Sequence, residues 1–134
     1  MIFFDTNLLV YAVINQDSEK QKQAEALIEA AIAKGQLVVS PLVLSELVFV
    51  LAKIDDLSSH MGLLKYFKRF CTPVIDKADV VRAAEIANAR GCGKSINDLV
   101  HLVHAESQGC ERLFTFDKGF RRFQGETSVQ VEVL

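Results

Sequence analysis

Short apolar runs alternate along the chain with longer segments in which apolar residues recur every three or four positions. The short runs have the length and the β-branched or aromatic content of strands. They predict five strands, at 1–4, 36–40, 73–75, 111–116 and 129–133.

The longer segments predict helices, and capping residues mark several of their ends. Ser40 followed by Pro41 is typical of a helix start, and Asp76 is a similar cap for a later helix. The predicted helices cover 18–34, 41–53, 58–70, 76–91 and 95–108. Strands that alternate with helices favour an α/β domain whose mainly parallel sheet, of about five strands, is covered on both faces.

Composition limits the size and the setting of this domain. With 134 residues, 50% of them hydrophobic, the chain can bury one sizeable core, so we expect a single domain over 1–134. Its three cysteines, Cys71, Cys92 and Cys110, form no CxxC pair, which favours reduced thiols in a cytoplasmic protein. The N-terminus lacks a basic start, and no apolar run is long enough to span a membrane, so we expect a soluble, unprocessed protein.

The charge balance constrains the partners. A formal net charge of −2 provides no overall basic field for nucleic acid. A polyanionic partner would therefore have to be held by local positive patches or by metal ions.

Four acidic residues lie at the ends of predicted strands or on helices that would pack over the same sheet. Asp5 follows the first predicted strand and Asp117 the fourth, and ligands of open α/β sheets bind at such carboxyl ends. Glu46 lies in a helix that is apolar almost all round. Asp98 lies in the first turn of a helix, where the helix dipole favours a negative charge.

Each acid also has a purely structural interpretation. Asp5 could end its strand in an Asx-type turn, and Glu46 could extend along its helix to the surface. Ser95 and Asp98 have the spacing of a capping box, and Asp117 could be a turn residue.

Taken together, the four acids indicate a metal site. If they converge in one crevice, several carboxylates within a few ångströms cannot all stay ionised unless a cation lies among them. A set of oxygen ligands favours Mg²⁺ or Mn²⁺ over zinc. Such sites catalyse metal-assisted hydrolysis of phosphoesters.

The same residues resemble those of the PIN-domain ribonucleases, and among them the short VapC-type toxins of toxin–antitoxin pairs. The stretch DTNLLVYA at 5–12 is similar to the opening motif of the family, and SPLVLSEL places Glu46 at its second acid. The segment 98–109 resembles the helix of the third acid, and LFTFDKGF resembles the strand that ends in the fourth. The resemblance covers nearly the whole chain and implies a three-layer α/β/α domain.

The resemblance also implies roles for individual residues. Four acids would hold Mg²⁺ or Mn²⁺ ions: Asp5, Glu46, Asp98 and Asp117. Four polar residues would orient the carboxylates or touch the site: Thr6, Asn7, Ser95 and Thr115. Four basic residues near the crevice could meet RNA phosphates, although a solvated surface explains them equally well: Lys94, Lys118, Arg121 and Arg122. A homodimer, and an antitoxin that covers the active-site groove, are implied by the resemblance alone.

Two histidines and one cysteine invite other interpretations. His101 and His104 are three residues apart on the Asp98 helix, but no further nitrogen or sulfur ligand is spaced to complete a metal site with them. We expect His104 to point away from Asp98, and His101 to form a hydrogen bond near the site or at a dimer surface. Cys92 lies between two glycines without a histidine to activate it, which indicates an ordinary loop cysteine.

The sequence therefore predicts a metal-dependent endoribonuclease, the toxin of a toxin–antitoxin pair. Two alternatives remain: a PIN-like module that binds RNA or protein without cutting, and an RNA-processing nuclease that is not a toxin. A phosphatase of the haloacid-dehalogenase kind also begins with an aspartate after its first strand. Its Asp-x-Asp signature is absent, because Asn7 occupies the second position.

Overall fold

A parallel sheet of four strands forms the centre of the computed structural model, which describes residues 1–134. The strands are β1 (Ile2–Phe4), β2 (Leu37–Val38), β3 (Arg112–Thr115) and β4 (Gln130–Val133), in the order β2-β1-β3-β4. All three pairings are parallel. The predicted α/β fold is therefore confirmed, with four strands in place of five.

Six α-helices flank the sheet. They are α1 (Thr6–Val13), α2 (Ser18–Ala33), α3 (Pro41–Lys53), α4 (Met61–Phe67), α5 (Lys77–Arg90) and α6 (Ile96–Ser107). Short 3₁₀ turns cover Ser58–His60, Lys68–Phe70, Gly93–Ser95 and Lys118–Phe123. None of the helices is long and apolar enough to cross a membrane.

Side chains of β1 alternate between the two helical layers. Ile2 lines a small cavity together with Leu27 and Ala31 of α2. The Phe3 ring points the other way and packs against His101 of α6, with ring centroids 5.7 Å apart. Both faces of the strand are buried, which explains its continuous apolar sequence and gives the predicted three layers.

The end of β1 is the point at which the direction of the chain across the sheet reverses. From β1 the chain first crosses to β2 on one side, and the later crossover places β3 on the other side. Such a reversal opens a crevice at the carboxyl ends of the strands. The backbone N–H of Asp5 donates to the carbonyl of Phe114 at 3.0 Å, which fixes Asp5 at the edge of this crevice.

The predicted strand at 73–75 is wrong. The segment just before it pairs with the sheet only through an isolated bridge between Val39 and Cys71. The Thr72 N–H donates to the Val39 carbonyl at 2.9 Å. Pro73 follows and has no N–H to continue such a ladder.

A buried polar network holds this segment instead of a strand. The Thr72 hydroxyl lies 2.8 Å from Nε2 of His104, and Nδ1 of the same ring lies 2.8 Å from Oδ2 of Asp79 on α5. The Ser107 hydroxyl donates to the same oxygen at 2.9 Å. His104 and Asp79 are both buried, so these bonds satisfy groups that would otherwise be costly to exclude from water. His104 points away from Asp98, as expected.

The predicted helices are found with adjusted ends. Ser40 caps α3 by accepting from the Val43 N–H, and Asp76 caps α5 by accepting from the Ala78 N–H. The predicted helix at 58–70 is α4 with a 3₁₀ turn at each end. No helix was predicted over α1, because residues 8–13 (LLVYAV) are apolar throughout and show no helical alternation.

Candidate active site

A cleft of about 660 Å³ opens at the carboxyl end of β1. Its lining includes all four acids singled out in the sequence, two of the polar residues beside them, and an apolar wall. The lining residues are Asp5, Thr6, Asn7, Val10, Leu42, Ser45, Glu46, Phe49, Val50, Asn97, Asp98 and Asp117.

Asp5 is the buried member of the acidic set. It ends β1 and caps α1, so its Oδ1 accepts from the Thr6 N–H at 2.8 Å, and its Oδ2 accepts from the Thr115 hydroxyl at 2.7 Å. The Asx-type turn considered for this residue is therefore replaced by a helix cap. Burial raises the pKa of Asp5 above its ordinary value, because the loss of solvent outweighs these hydrogen bonds and the nearby His101.

Thr115 links the first and the last acid. Its hydroxyl donates to Asp5 and accepts from the backbone N–H of Asp117 at 3.0 Å and from the Asn7 side-chain amide at 3.1 Å. The Asn7 carbonyl oxygen in turn accepts from the Phe116 N–H at 3.1 Å. Asn7 thus holds Thr115 and the chain after β3, and its side chain forms no hydrogen bond with a carboxylate.

Glu46 faces the cleft from α3. Its Oε1 accepts from the Thr6 hydroxyl at 3.0 Å and lies 2.5 Å from Nε2 of His101. Burial opposes ionisation, but the hydrogen bonds from His101 and Thr6 lower the pKa of Glu46 below its ordinary value. The alternative in which Glu46 extends to the surface does not describe this side chain.

His101 lies beneath the acids, where it forms the first of the two hydrogen bonds considered for it, the one near the site. The ring is 1% exposed, and its Nε2 lies 3.8 Å from Oδ1 of Asp5 as well as within hydrogen-bond distance of Glu46. Although burial disfavours the charged ring, the two carboxylates raise the pKa of His101. The signal for its position was its spacing from Asp98, because residues three apart share a helix face.

Asp98 is half-buried at the start of α6 and accepts no hydrogen bond. The capping box considered as an alternative for Ser95 and Asp98 is not formed, because the Ser95 side chain makes no capping bond and its hydroxyl instead accepts from Arg122. Burial, together with the charges of Asp5, Asp117 and Glu46, raises the pKa of Asp98 to about 6.

Asp117 has the structural role considered for it and also lines the cleft. Its Oδ1 accepts from the Gly119 N–H at 2.8 Å, which caps the 3₁₀ turn Lys118–Phe123. The residue is exposed, and its second carboxylate oxygen has no hydrogen bond.

The basic residues considered as RNA contacts are not among the residues that line the cleft. All four are exposed: Lys94, Lys118, Arg121 and Arg122. Lys118 directly follows Asp117, and Arg122 is bonded to Ser95, just before the helix that carries Asp98.

The four acids offer carboxylate oxygens, which are the ligands that hard divalent cations favour. Repulsion from the other three carboxylates also contributes to the raised pKa of Asp98, and a cation among them would relieve it. No three histidine, cysteine or acidic side chains are gathered tightly enough to enclose a cation as they stand. A cation would therefore have to draw at least some of these side chains closer together.

An α/β domain with an acidic cleft at the end of its central strand falls in the class of proteins that bind ligands at a topological switch point. The family model of the PIN domain matches residues 2–126. The chain therefore belongs to the PIN-domain family, which confirms the resemblance seen in the sequence.

Solved structures share this fold over nearly the whole chain. The crystal structure of VapBC2 from Rickettsia felis bound to a promoter DNA fragment matches with 23% identity and a TM-score of 0.72, covering 100% of this chain and 99% of the other. FitAcB from Neisseria gonorrhoeae matches with 19% identity and a TM-score of 0.71, covering 98% and 96%. A toxin–antitoxin complex from Klebsiella pneumoniae matches with 18% identity and a TM-score of 0.64, covering 96% and 95%. No curated protein matches the chain.

The electrostatics of the cleft predict the effect of Asp98→Asn on the metal-free protein. Because the pKa of Asp98 is raised on folding, its ionised carboxylate destabilises the folded state above about pH 6, and this effect disappears as the pH falls toward the unfolded value near 4. We expect the variant to gain about 1 kcal/mol in free energy of unfolding near pH 7, with solvent screening taken into account, and little near pH 4.

Urea unfolding in EDTA at both pH values measures this difference. The control is Glu85→Gln, which removes an exposed acid on α5. An Asp98→Asn protein that is less stable than wild type near pH 7 would show that the carboxylate chiefly stabilises the start of α6.

Proposed function

We propose that the protein is a divalent-metal-dependent endoribonuclease and the toxin of a toxin–antitoxin pair. The observation that carries this proposal is the convergence of four carboxylates in one cleft at the end of the central strand, one of them buried. A structural role explains the capping bonds of Asp5 and Asp117, but it does not explain why Glu46 and Asp98 face the same cleft.

The four acids would hold Mg²⁺ or Mn²⁺, the hard cations that carboxylate oxygens favour. When bound, the metal would lower the pKa of a water molecule and stabilise charge on the phosphate oxygens. Thr115 and Thr6 fix the orientation of Asp5 and Glu46 by donating to them. No side chain in this proposal becomes covalently attached to RNA.

The surroundings of the cleft support a phosphate-bearing substrate. Lys118 adjoins Asp117 in sequence, and Arg122 is bonded beside the start of α6. We assign these residues, with Lys94 and Arg121, to the RNA backbone, where positive side chains position a strand without reading its sequence.

Metal dependence is the first test. We expect RNA cleavage in Mg²⁺ or Mn²⁺, none in excess EDTA, and a loss of at least about a hundredfold in Asp5→Asn, because that change removes a ligand charge and keeps the side-chain size. Glu85→Gln, which removes an exposed acid that does not line the cleft, should cut at the wild-type rate. Full cleavage in EDTA would refute the metal mechanism, and a folded Asp5→Asn protein with wild-type activity would leave Asp5 as a helix cap only.

The toxin assignment draws on the structures that share the fold. VapBC2 is described in complex with promoter DNA, and the Klebsiella pneumoniae structure is described as a toxin–antitoxin complex. We propose by analogy that this chain has a cognate antitoxin that covers its active-site groove.

Expression in the bacterial cytoplasm tests this assignment. We expect wild-type protein to slow growth and Asp5→Asn, at an equal level of folded protein, to be harmless, because toxicity would come from RNA cleavage. A growth curve with quantified soluble protein provides the comparison. Harmless expression of a protein that cuts RNA in vitro would instead favour an RNA-processing nuclease.

We also propose a homodimer through the segment 58–70 and its neighbours. Met61 and Tyr66 are exposed on this segment, and beside it lies an apolar depression of about 430 Å³ lined in part by Val13, Ile28 and Leu63. Exposed apolar surface of this kind is typical of protein contacts.

Sedimentation velocity over a range of concentrations tests the dimer. We expect wild type to sediment as a dimer and Met61→Asp to shift toward monomer, because a charge would be buried in the contact. Val81→Asp places the same charge on another exposed apolar site, on α5, and should leave the dimer intact. A wild-type monomer at high concentration would contradict the proposal.

A further inference from the structure

Phe49 is the large apolar side chain that the fold leaves most exposed, at 68%. It lies on α3 and forms part of the wall of the acidic cleft. The other exposed aromatic side chain, Tyr66, packs edge-on against Phe70, with ring centroids 5.4 Å apart. Phe49 has no such aromatic neighbour, so its ring is available to a ligand.

The position of Phe49 relates it directly to the acids. Leu42, Ser45, Glu46, Phe49 and Val50 line the cleft from one face of α3. Phe49 comes three residues after Glu46, a spacing that puts the two Cβ atoms about 5–6 Å apart on a helix. The cleft therefore presents a flat apolar ring next to a group of carboxylates.

This juxtaposition fits a ligand that combines an anionic group with a flat ring. A nucleotide has that combination, because its phosphate would lie at a metal held by the carboxylates while its base meets the aromatic side chain. Bases inside a duplex are already stacked on their neighbours, whereas unpaired bases are free to stack on protein side chains.

We propose that Phe49 is a stacking platform for an unpaired nucleobase next to the phosphate that is cut. This inference rests on the proposed ribonuclease function and adds to it a residue that positions the substrate. Stacking on an aromatic side chain does not depend on base identity, so the platform would select for unpaired RNA and not for a sequence.

The test combines changes in the protein with changes in the RNA. Phe49→Ala removes the ring, Phe49→Leu keeps apolar surface without a ring, and Phe49→Trp keeps a stacking surface. Val81→Ala is the control, because it shortens an exposed apolar side chain on α5, outside the cleft. Cleavage of a single-stranded RNA with one mapped site is measured in Mg²⁺, and binding of the same RNA is measured in Ca²⁺.

We expect Phe49→Ala and Phe49→Leu to raise KM, and Kd in Ca²⁺, by about tenfold or more, with kcat within about twofold of wild type. Phe49→Trp and Val81→Ala should bind and cut as wild type does. Placing an abasic ribose on each side of the cut site in turn should weaken wild type at one of the two positions. At that position Phe49→Ala should cause no further loss, since neither partner of the stack remains.

Several results would overturn the platform. They are an unchanged KM and Kd in Phe49→Ala, full binding by Phe49→Leu, or equal losses from Phe49→Ala on the normal and both abasic RNAs. A change of oligomeric state in Phe49→Ala, with RNA affinity intact, would assign the ring to a protein contact. A wild-type protein that cuts no RNA in any metal would overturn the proposed function and the platform with it. The results above overturn the platform alone, because in them the wild-type protein still cuts RNA.

Discussion

The buried carboxylate of Asp5 sets the main physical constraint on this protein. An ionised group out of water is stable only with hydrogen bonds and opposite charge around it. The fold supplies a helix N-terminus through Thr6, a hydroxyl from Thr115 and a histidine 3.8 Å away. Burial still raises the pKa of Asp5, so these groups compensate only in part. The hydrogen bond between Thr115 and Asp5 joins two parts of the chain that are 110 residues apart in sequence.

His101 extends the same constraint to the second acid. Its ring is packed on Phe3 of the central strand and reaches Glu46 and Asp5 with one nitrogen. Its other nitrogen, Nδ1, is buried without a hydrogen-bond partner. The neighbouring carboxylates raise the pKa of this ring, and its hydrogen bond and charge in turn lower the pKa of Glu46. The pKa of Asp98 is raised by burial and by the charge of Asp5, against the opposing effect of His101.

The sequence predicted the features that depend on local chemistry. Caps at Ser40 and Asp76, the apolar strand before Asp5 and the acids at strand ends all follow from neighbouring residues. The features that it missed depend on distant contacts. Pro73–Ile75 has strand composition, but His104 and Asp79 hold the segment before it in another arrangement. Ser95 has the spacing of a cap, but Arg122 occupies its hydroxyl. The catalytic roles of the acids stay a prediction.

The four acids differ in how firmly the fold holds them, and this difference bears on how a cation would be bound. Asp5 and Glu46 are each fixed by at least two hydrogen bonds, from Thr115 and the Thr6 backbone in one case and from Thr6 and His101 in the other. Asp98 accepts none, and one oxygen of Asp117 is free. A site of this kind has one rigid half and one adjustable half. If the site binds a cation, the rigid half would reduce the entropy lost on binding, and the adjustable half would let like charges separate in its absence. This division is compatible with an acidic cleft that has no closed ligand set, because repulsion among carboxylates opposes their closer approach and a bound cation would offset it.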